Sequence, residues 1–162
     1  MEPGWDSGSV EMRLARWLYQ VELLWWRLTR PVTLGVRLLA VRDGTVLLVR
    51  HTYQSQWYLP GGGVKRGETL EQAIRREAAE EVGATLGAVR LLGVYTNFYE
   101  YKSDHVVVFV CDEVTVKGKD SHEIERLGFF TFDDLPLDIS PGSRKRIAEY
   151  RNQATAPIIG MW

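Results

Sequence analysis

Residues 61–84 read GGGVKRGETLEQAIRREAAEEVGA, a glycine-rich loop running into a helix. Thr69 suits the N-cap, and Gln72 stands three residues on, where its amide can reach back to the N-cap backbone. Gly83 is a natural stop, because the residue after a helix often turns left-handed, which glycine does without strain. The spacing predicts a helix over 69–82. On it Glu77, Glu80 and Glu81 fall at i, i+3 and i+4, so their carboxylates leave one face. Like charges so placed repel by roughly a few tenths of a kcal/mol per pair. A hard divalent cation, Mg2+ or Mn2+, reverses that sign, since carboxylate oxygen is its preferred ligand. Alone, the triplet is also what a solvated charged face looks like. Its surroundings favour chemistry. Gly61, Gly62 and Gly63 let the backbone come close to a ligand. Arg76, next to Glu77 and one turn before Glu80, can orient carboxylates that otherwise splay.

Outward from this segment the chain alternates strands and helices. Thr33 to Val41 and Thr45 to Arg50 are β-rich runs joined across Asp43-Gly44, a hairpin signal. Residues 57–60 (WYLP) read as a short strand entering the glycine loop. Strands are expected near 88–98 and 104–116, with a turn at Tyr101 to Ser103, and another from Leu127 to Phe132. Pro141 opens a last helix to about Asn152, early enough that its missing N–H does no harm. Hairpins argue against a purely parallel sheet, so a mixed sheet with helices on its faces is expected. No internal repeat is present.

The 162 residues suffice for one domain with a sizeable core. A net charge of -1 gives no overall field for nucleic acid, so a phosphorylated substrate needs local help from cations or a few arginines. The single cysteine, Cys111, excludes an internal disulfide framework and fits a reducing compartment; its apolar neighbours Val106 to Val110 suggest a buried thiol. No stretch is apolar and long enough to span a bilayer, and the acidic opening does not read as a secretory signal, so a cytoplasmic location is expected. Residues 1–9 read as a loose lead-in, and 10–30 as an amphipathic helix ended by Pro31. Leu14, Leu18, Val21, Trp25 and Leu28 share a face, widened by Trp17, Leu24 and Trp26. Packing on its own domain, a homodimer interface, and a membrane surface all remain open for that face.

One resemblance is specific. Gly62, five residues, Glu68, seven residues, then Arg76-Glu77-Ala78-Ala79-Glu80-Glu81-Val82-Gly83-Ala84 resembles the Nudix box at every fixed position. Ala78 and Ala84 are small for its aliphatic places. Leu59-Pro60-Gly61-Gly62 is similar to the usual lead-in. The resemblance covers about residues 32–150 and leaves the N-terminal helix outside, which divides the chain into 1–30 and a Nudix hydrolase domain at 31–162. It implies an α/β/α sandwich around a mixed β-sheet.

It further implies that Glu77, Glu80 and Glu81, with Gly61, bind metal, that Glu68 and Arg76 hold the helix and its carboxylates, and that Gly62 contributes backbone at the loop. A further acidic residue from a later loop is expected; Glu123 leads, with Asp120, His122 and Glu125 as rivals. Glu80 or Glu123 would position or deprotonate the attacking water. The implied reaction is hydrolysis of a nucleoside diphosphate linked to another group X, such as a nucleotide sugar, giving a nucleoside monophosphate and phosphorylated X. Alternatives are a triphosphate or dinucleoside polyphosphate hydrolase, 5′-end hydrolysis of messenger RNA (which no basic stripe supports), or a non-catalytic ligand sensor. Relatives of that last kind usually lose box glutamates, and this chain keeps them.

Substrate contacts are expected from Arg37 and Arg50 on the first hairpin, which could equally be surface arginines. His51, Tyr53 and Trp57 could stack on a base or simply pack. Tyr95, Phe98, Tyr99 and Tyr101 follow the box where some subfamilies carry a specificity residue. A tyrosine there, Tyr99 for instance, is similar to dinucleoside polyphosphate hydrolases. The proline of ADP-ribose hydrolases is missing between Ala84 and Leu135. The apolar tail Ile158 to Trp162 has no readable role.

Overall fold

The computed structural model describes residues 21, 24, 25, 27–29, 31–99, 101–118, 123–152 and 157–162. Strands are β1 (Val32–Arg42), β2 (Thr45–His51), β3 (Trp57–Tyr58), β4 (Ala84–Leu86), β5 (Arg90–Tyr99), β6 (Lys102–Cys111), β7 (Val114–Val116), β8 (Ile124–Thr131) and β9 (Ile158–Met161). The helices are α1 (Leu70–Val82) and α2 (Pro141–Arg151). The β1–β2 turn has φ of 49° at Asp43 and 73° at Gly44. Two consecutive positive φ angles match the right-handed twist of the strands they join, which is why Asp-Gly marks such hairpins.

Beyond Val41↔Val46 the two strands part, and β1 runs parallel to β6 from Val32↔Ser103 to Ala40↔Cys111. The main sheet is ordered β3-β2-β1-β6-β5-β9, with β8 also paired to β2. Parallel and antiparallel pairs mix in it, as the hairpins required.

Side chains alternate across each strand, and the alternation sorts the core into two layers. Val36, Leu38, Ala40, Leu47, Val49 and Val107 pack with Ala73, Ile74, Ala78 and Val82 of α1. Leu39, Val41, Val46, Leu48, Val106, Val108 and Val110 pack with Ile147 of α2. A helix thus covers each face, giving the expected α/β/α sandwich.

Two features depart from the sequence reading. The run 104–116 is two strands: β6 ends at Cys111, the chain bends, and β7 leaves to pair with β4. Apolar alternation continues through Val114 and Val116, so the break is silent in the sequence. Gly87 N–H donates to the Glu113 carbonyl there (2.8 Å) and holds the bend. The tail, unreadable before, becomes β9, parallel to β5. Of the expected helix over 10–30, Val21, Leu24, Trp25 and 27–29 are helical; the rest lies outside the described residues. No helix among the described residues is long and apolar enough to cross a membrane.

The tail is seated on a buried arginine. Arg146 is fully buried and lies 3.7 Å from the centroid of the Tyr95 ring. Its Nη2 donates to Glu149 Oε1 (2.9 Å), and Tyr95 Oη donates to Glu149 Oε2 (2.9 Å). Its Nη1 donates to the Met161 carbonyl of β9 (3.2 Å). A buried cation survives only when paired and hydrogen-bonded, and this network supplies both. Trp162 closes over Tyr95 edge-on at 6.1 Å. Tyr95→Phe strips one bond from the buried end of Glu149. It should cost about 1–2 kcal/mol, read as a lower urea midpoint at unchanged m.

Candidate functional site

Helix α1 carries both halves of a capping box. Thr69 Oγ1 accepts from Gln72 N–H (3.2 Å), and Gln72 Oε1 accepts from Thr69 N–H (2.8 Å). Gly83 closes the helix at φ 62°. These caps fix the helical register and so fix where the acids point.

The loop before it is strapped to β1. Leu38 N–H donates to the Pro60 carbonyl (2.8 Å), Val36 N–H to the Gly62 carbonyl (2.9 Å), and Val64 N–H to the Leu34 carbonyl (3.0 Å). Gly61 has φ 134°, and a Cβ there would stand 2.2 Å from the Val36 carbonyl oxygen. A Cβ on Gly62 would stand 2.7 Å from Glu77 Oε1. These two glycines are required for close approach, one to backbone and one to an acid.

Arg76 gathers the acids. Its Nη1 donates to Glu77 Oε1 (2.7 Å) and Glu80 Oε2 (3.1 Å). Its Nε and Nη2 take both oxygens of Glu68 (2.5 and 2.9 Å), and Nη2 also donates to the Gly63 carbonyl (3.0 Å). The bonds from Arg76, then the Lys65 N–H, hold the Glu68 carboxyl down to about 2. Glu81 is the buried member, and its Oε2 accepts from Gly61 N–H (2.7 Å). Burial pushes its carboxyl up to about 7, against the pull of Gly61 N–H and Arg37; Glu77 and Glu123 push the same way as burial.

Arg37 reaches the same loop, donating through Nη1 to the carbonyls of Gly61 and, at 3.3 Å, Leu59. His51 is buried, with Nδ1 unpartnered, and stacks on the exposed Tyr53 ring at 5.2 Å. Tyr58 lies tilted against His51 at 6.1 Å. Burial and then Arg37 lower the His51 pKa, while Glu123 raises it. Glu123 thus shares an electrostatic neighbourhood with His51, Tyr53 and Glu81. Its backbone carbonyl accepts from Thr52 N–H (2.9 Å).

The structure therefore brings together Glu68, Arg76, Glu77, Glu80, Glu81, Gly61, Gly62, Arg37, His51, Tyr53 and Glu123. Arg50 and Trp57 are not among them. They pair across β2 and β3, and Trp57 packs with the α2-side core against Phe130. Arg50 is engaged by both oxygens of Glu125, at 3.1 Å each. Glu125 is accordingly spoken for by Arg50. Asp120 and His122 lie outside the described residues. Tyr99 ends β5 opposite Lys102, and its side chain is likewise outside them. Tyr95 turns into the α2-side core. Tyr58 was overlooked. Strand alternation in Trp57-Tyr58 puts one ring on each face, and only Tyr58 shares a face with His51.

Among the described residues no three acidic, His or Cys side chains converge on a cation position. Arg76 draws Glu77 and Glu80, while Gly61 holds Glu81. The donor chemistry still fits a hard divalent ion. All three ligand candidates are carboxylates on one helix face, and burial first, then the neighbouring Glu77 and Glu123, raises the buried one, which a bound cation would offset.

Residues 29–150 match the NUDIX domain family. The chain belongs to the NUDIX family. It is similar to an ADP-ribose pyrophosphatase of Methanocaldococcus jannaschii, 33% identical over 100 residues, covering 59% of each protein. It is also similar to an RNA pyrophosphohydrolase of Sodalis glossinidius (strain morsitans), 47% identical over 60 residues, or 37% of this chain and 34% of that one. The chain thus spans between a third and three-fifths of these relatives. The crystal structure of a MutT NUDIX hydrolase from Burkholderia pseudomallei superposes with a TM-score of 0.66 at 28% identity, covering 73% of this chain and 97% of that one. In this NUDIX chain Gly61→Ala should lower stability by about 1–3 kcal/mol, because the side chain meets backbone at a φ that L-residues avoid. Urea melts beside a Gly63→Ala control, where a Cβ meets nothing within 4 Å, would separate the two positions.

Proposed function

We propose that this NUDIX chain is a divalent-cation-dependent pyrophosphohydrolase that splits a nucleoside diphosphate linked to a group X into a nucleoside monophosphate and phosphorylated X. One observation carries the reading. Arg76 ties Glu68, Glu77 and Glu80 to the glycine loop, on the helix whose Glu81 is buried against Gly61. Acids aligned this closely serve a cation better than they serve solvation.

Glu77, Glu80 and Glu81 would hold Mg2+ or Mn2+. When bound, that ion supplies charge neutralisation for the diphosphate oxygens and acidity to water. The chain's own groups do the rest. Arg76 restrains the carboxylates so that little reorganisation remains. Glu80, half exposed, is the most accessible of the triplet and would take the proton of the attacking water; Glu123 is the rival base. Arg37, beside the Gly61 carbonyl, adds positive charge where phosphate would lie. The open Tyr53 ring, backed by His51, offers a surface for a nucleobase.

The similarity to an ADP-ribose pyrophosphatase supports X as a sugar, released as a sugar phosphate. The similarity to an RNA pyrophosphohydrolase favours a second reading, cleavage of a triphosphate with release of pyrophosphate. Product masses decide between them, since phosphorylated sugar and pyrophosphate are mutually exclusive signatures. In either case Glu80→Gln should lower kcat about a hundred- to ten-thousand-fold with an unchanged melting curve. Chelation should abolish turnover and added Mg2+ restore it. A Glu80→Gln enzyme turning over like wild type would overturn the assignment.

A further inference from the structure

The sheet carries an apolar surface that α1 does not cover. The registers Val32↔Ser103↔Phe98, Leu34↔His105↔Thr96↔Met161 and Val36↔Val107↔Val94↔Ile159 run across β1, β6, β5 and β9. Directly paired residues share a face, and residues two apart along a strand share it too. Val36 and Val107 lie in the α1-side core, so these rows all face the α1 side. Yet Val32, Leu34, Phe98, Ile159 and Met161 are 72%, 42%, 68%, 89% and 52% exposed. Four strands at about 4.8 Å spacing make a surface roughly 14 Å across. A helix with its side chains is about 10 Å wide.

The same chain owns an apolar helix face that is exposed among the described residues. Val21, Leu24, Trp25 and Leu28 are 45–74% exposed. Their spacing puts them on one side of a helix. In this structure the helix does not lie on its own sheet, since its apolar face and that of the sheet are both exposed. Pro31 already accepts from Ser103 N–H (3.1 Å), so it sits in register beside β6. That leaves Arg30 alone between Thr29 and the sheet. The two steps from Thr29 to Pro31 span at most about 7 Å, whereas packed layers stand about 10 Å apart. Arg27 stands over the Tyr101 ring, 5.9 Å from its centroid, at the turn of the β5–β6 hairpin.

We infer that a second copy of this chain supplies the cover: the N-terminal helix of each protomer lies on the bare α1-side sheet surface of its partner. The contact is made twice by two-fold symmetry, so both orphan surfaces of both chains are buried together. The surface adjoins the glycine loop through the Val64–Leu34 bond, which brings the partner's helix to the border of the candidate site. The inference is independent of the proposed reaction.

Two exposed-site variants of the full chain test it by sedimentation: Trp25→Glu in the helix and Phe98→Glu on the sheet. Wild type should sediment as a dimer, and each variant should weaken association at least tenfold. An equimolar mixture of the two variants should recover dimer. In that mixed pair the intact helix of the Phe98→Glu chain meets the intact sheet of the Trp25→Glu chain. A wild-type monomer overturns the inference, whether or not it binds anionic lipid vesicles. So does a dimer broken by Trp25→Glu but indifferent to Phe98→Glu, which would be helix on helix. Loss of dimer in both variants with no recovery on mixing also overturns it. Circular dichroism of each variant confirms folding, and Ile159→Glu replaces Phe98→Glu if the latter misfolds.

Discussion

One guanidinium holds the candidate site in shape. Arg76 spends its Nε, Nη1 and Nη2 on Glu68, Glu77, Glu80 and the Gly63 carbonyl. It joins the start of the loop, the end of the loop and the acidic face of α1 in one bonded group. A lysine has one ammonium and no fork, so it could not serve these positions together. The acids repel one another, and Arg76 lowers that repulsion without removing their outward oxygens. The glycines follow from this constraint: the loop must lie against Glu77 and β1 at once, and a side chain at Gly61 or Gly62 would occupy that space.

The sheet explains why the site lies where it does. Because β1 leaves β2 after the hairpin, its edge facing the glycine loop has free backbone groups, and the loop satisfies them at Leu34, Val36 and Leu38. Parity then places Val36, Leu38 and Ala40 under α1. The small Ala78 and Ala84, undersized for the motif, are buried there and let helix and sheet meet closely. Ser143 of α2 accepts from Leu59 N–H (3.1 Å), so the second helix steadies the lead-in to the loop from the other side.

Much of this was legible in the sequence because the signals were local. Thr69, Gln72 and Gly83 announced the bounds of α1, and Asp43-Gly44 announced the hairpin. The triplet's common face followed from helical periodicity alone. What was not legible depended on partners far along the chain. Nothing near Asp112 says that β7 will desert the sheet, since the bend is held by Gly87 of another segment. Arg50 read as a substrate contact or a surface arginine, yet its counter-ion is Glu125, brought alongside by the β2–β8 pairing. Trp57 and Tyr58 are chemically alike candidates, and only the strand's alternation separates them. In the tail, Trp162 fills the space that Gly142 leaves empty on α2, a match invisible until both are in place.

The register of α1 is over-determined by these requirements. Its core stripe (Ala73, Ile74, Ala78, Val82) must face β1 and β2, its acids must flank that stripe, and Arg76 must reach back to Glu68. Arg75 adds a fourth tie, donating to the Leu86 and Gly87 carbonyls (2.6 and 2.9 Å) just where the helix hands over to β4. A rotation by one residue would move about 100° around the axis, bury Glu80 or Glu77 in the aliphatic layer and expose Ile74. Each tie alone is worth about 1 kcal/mol, but they fail together, and that cooperativity keeps mutually repelling acids on a single helix face.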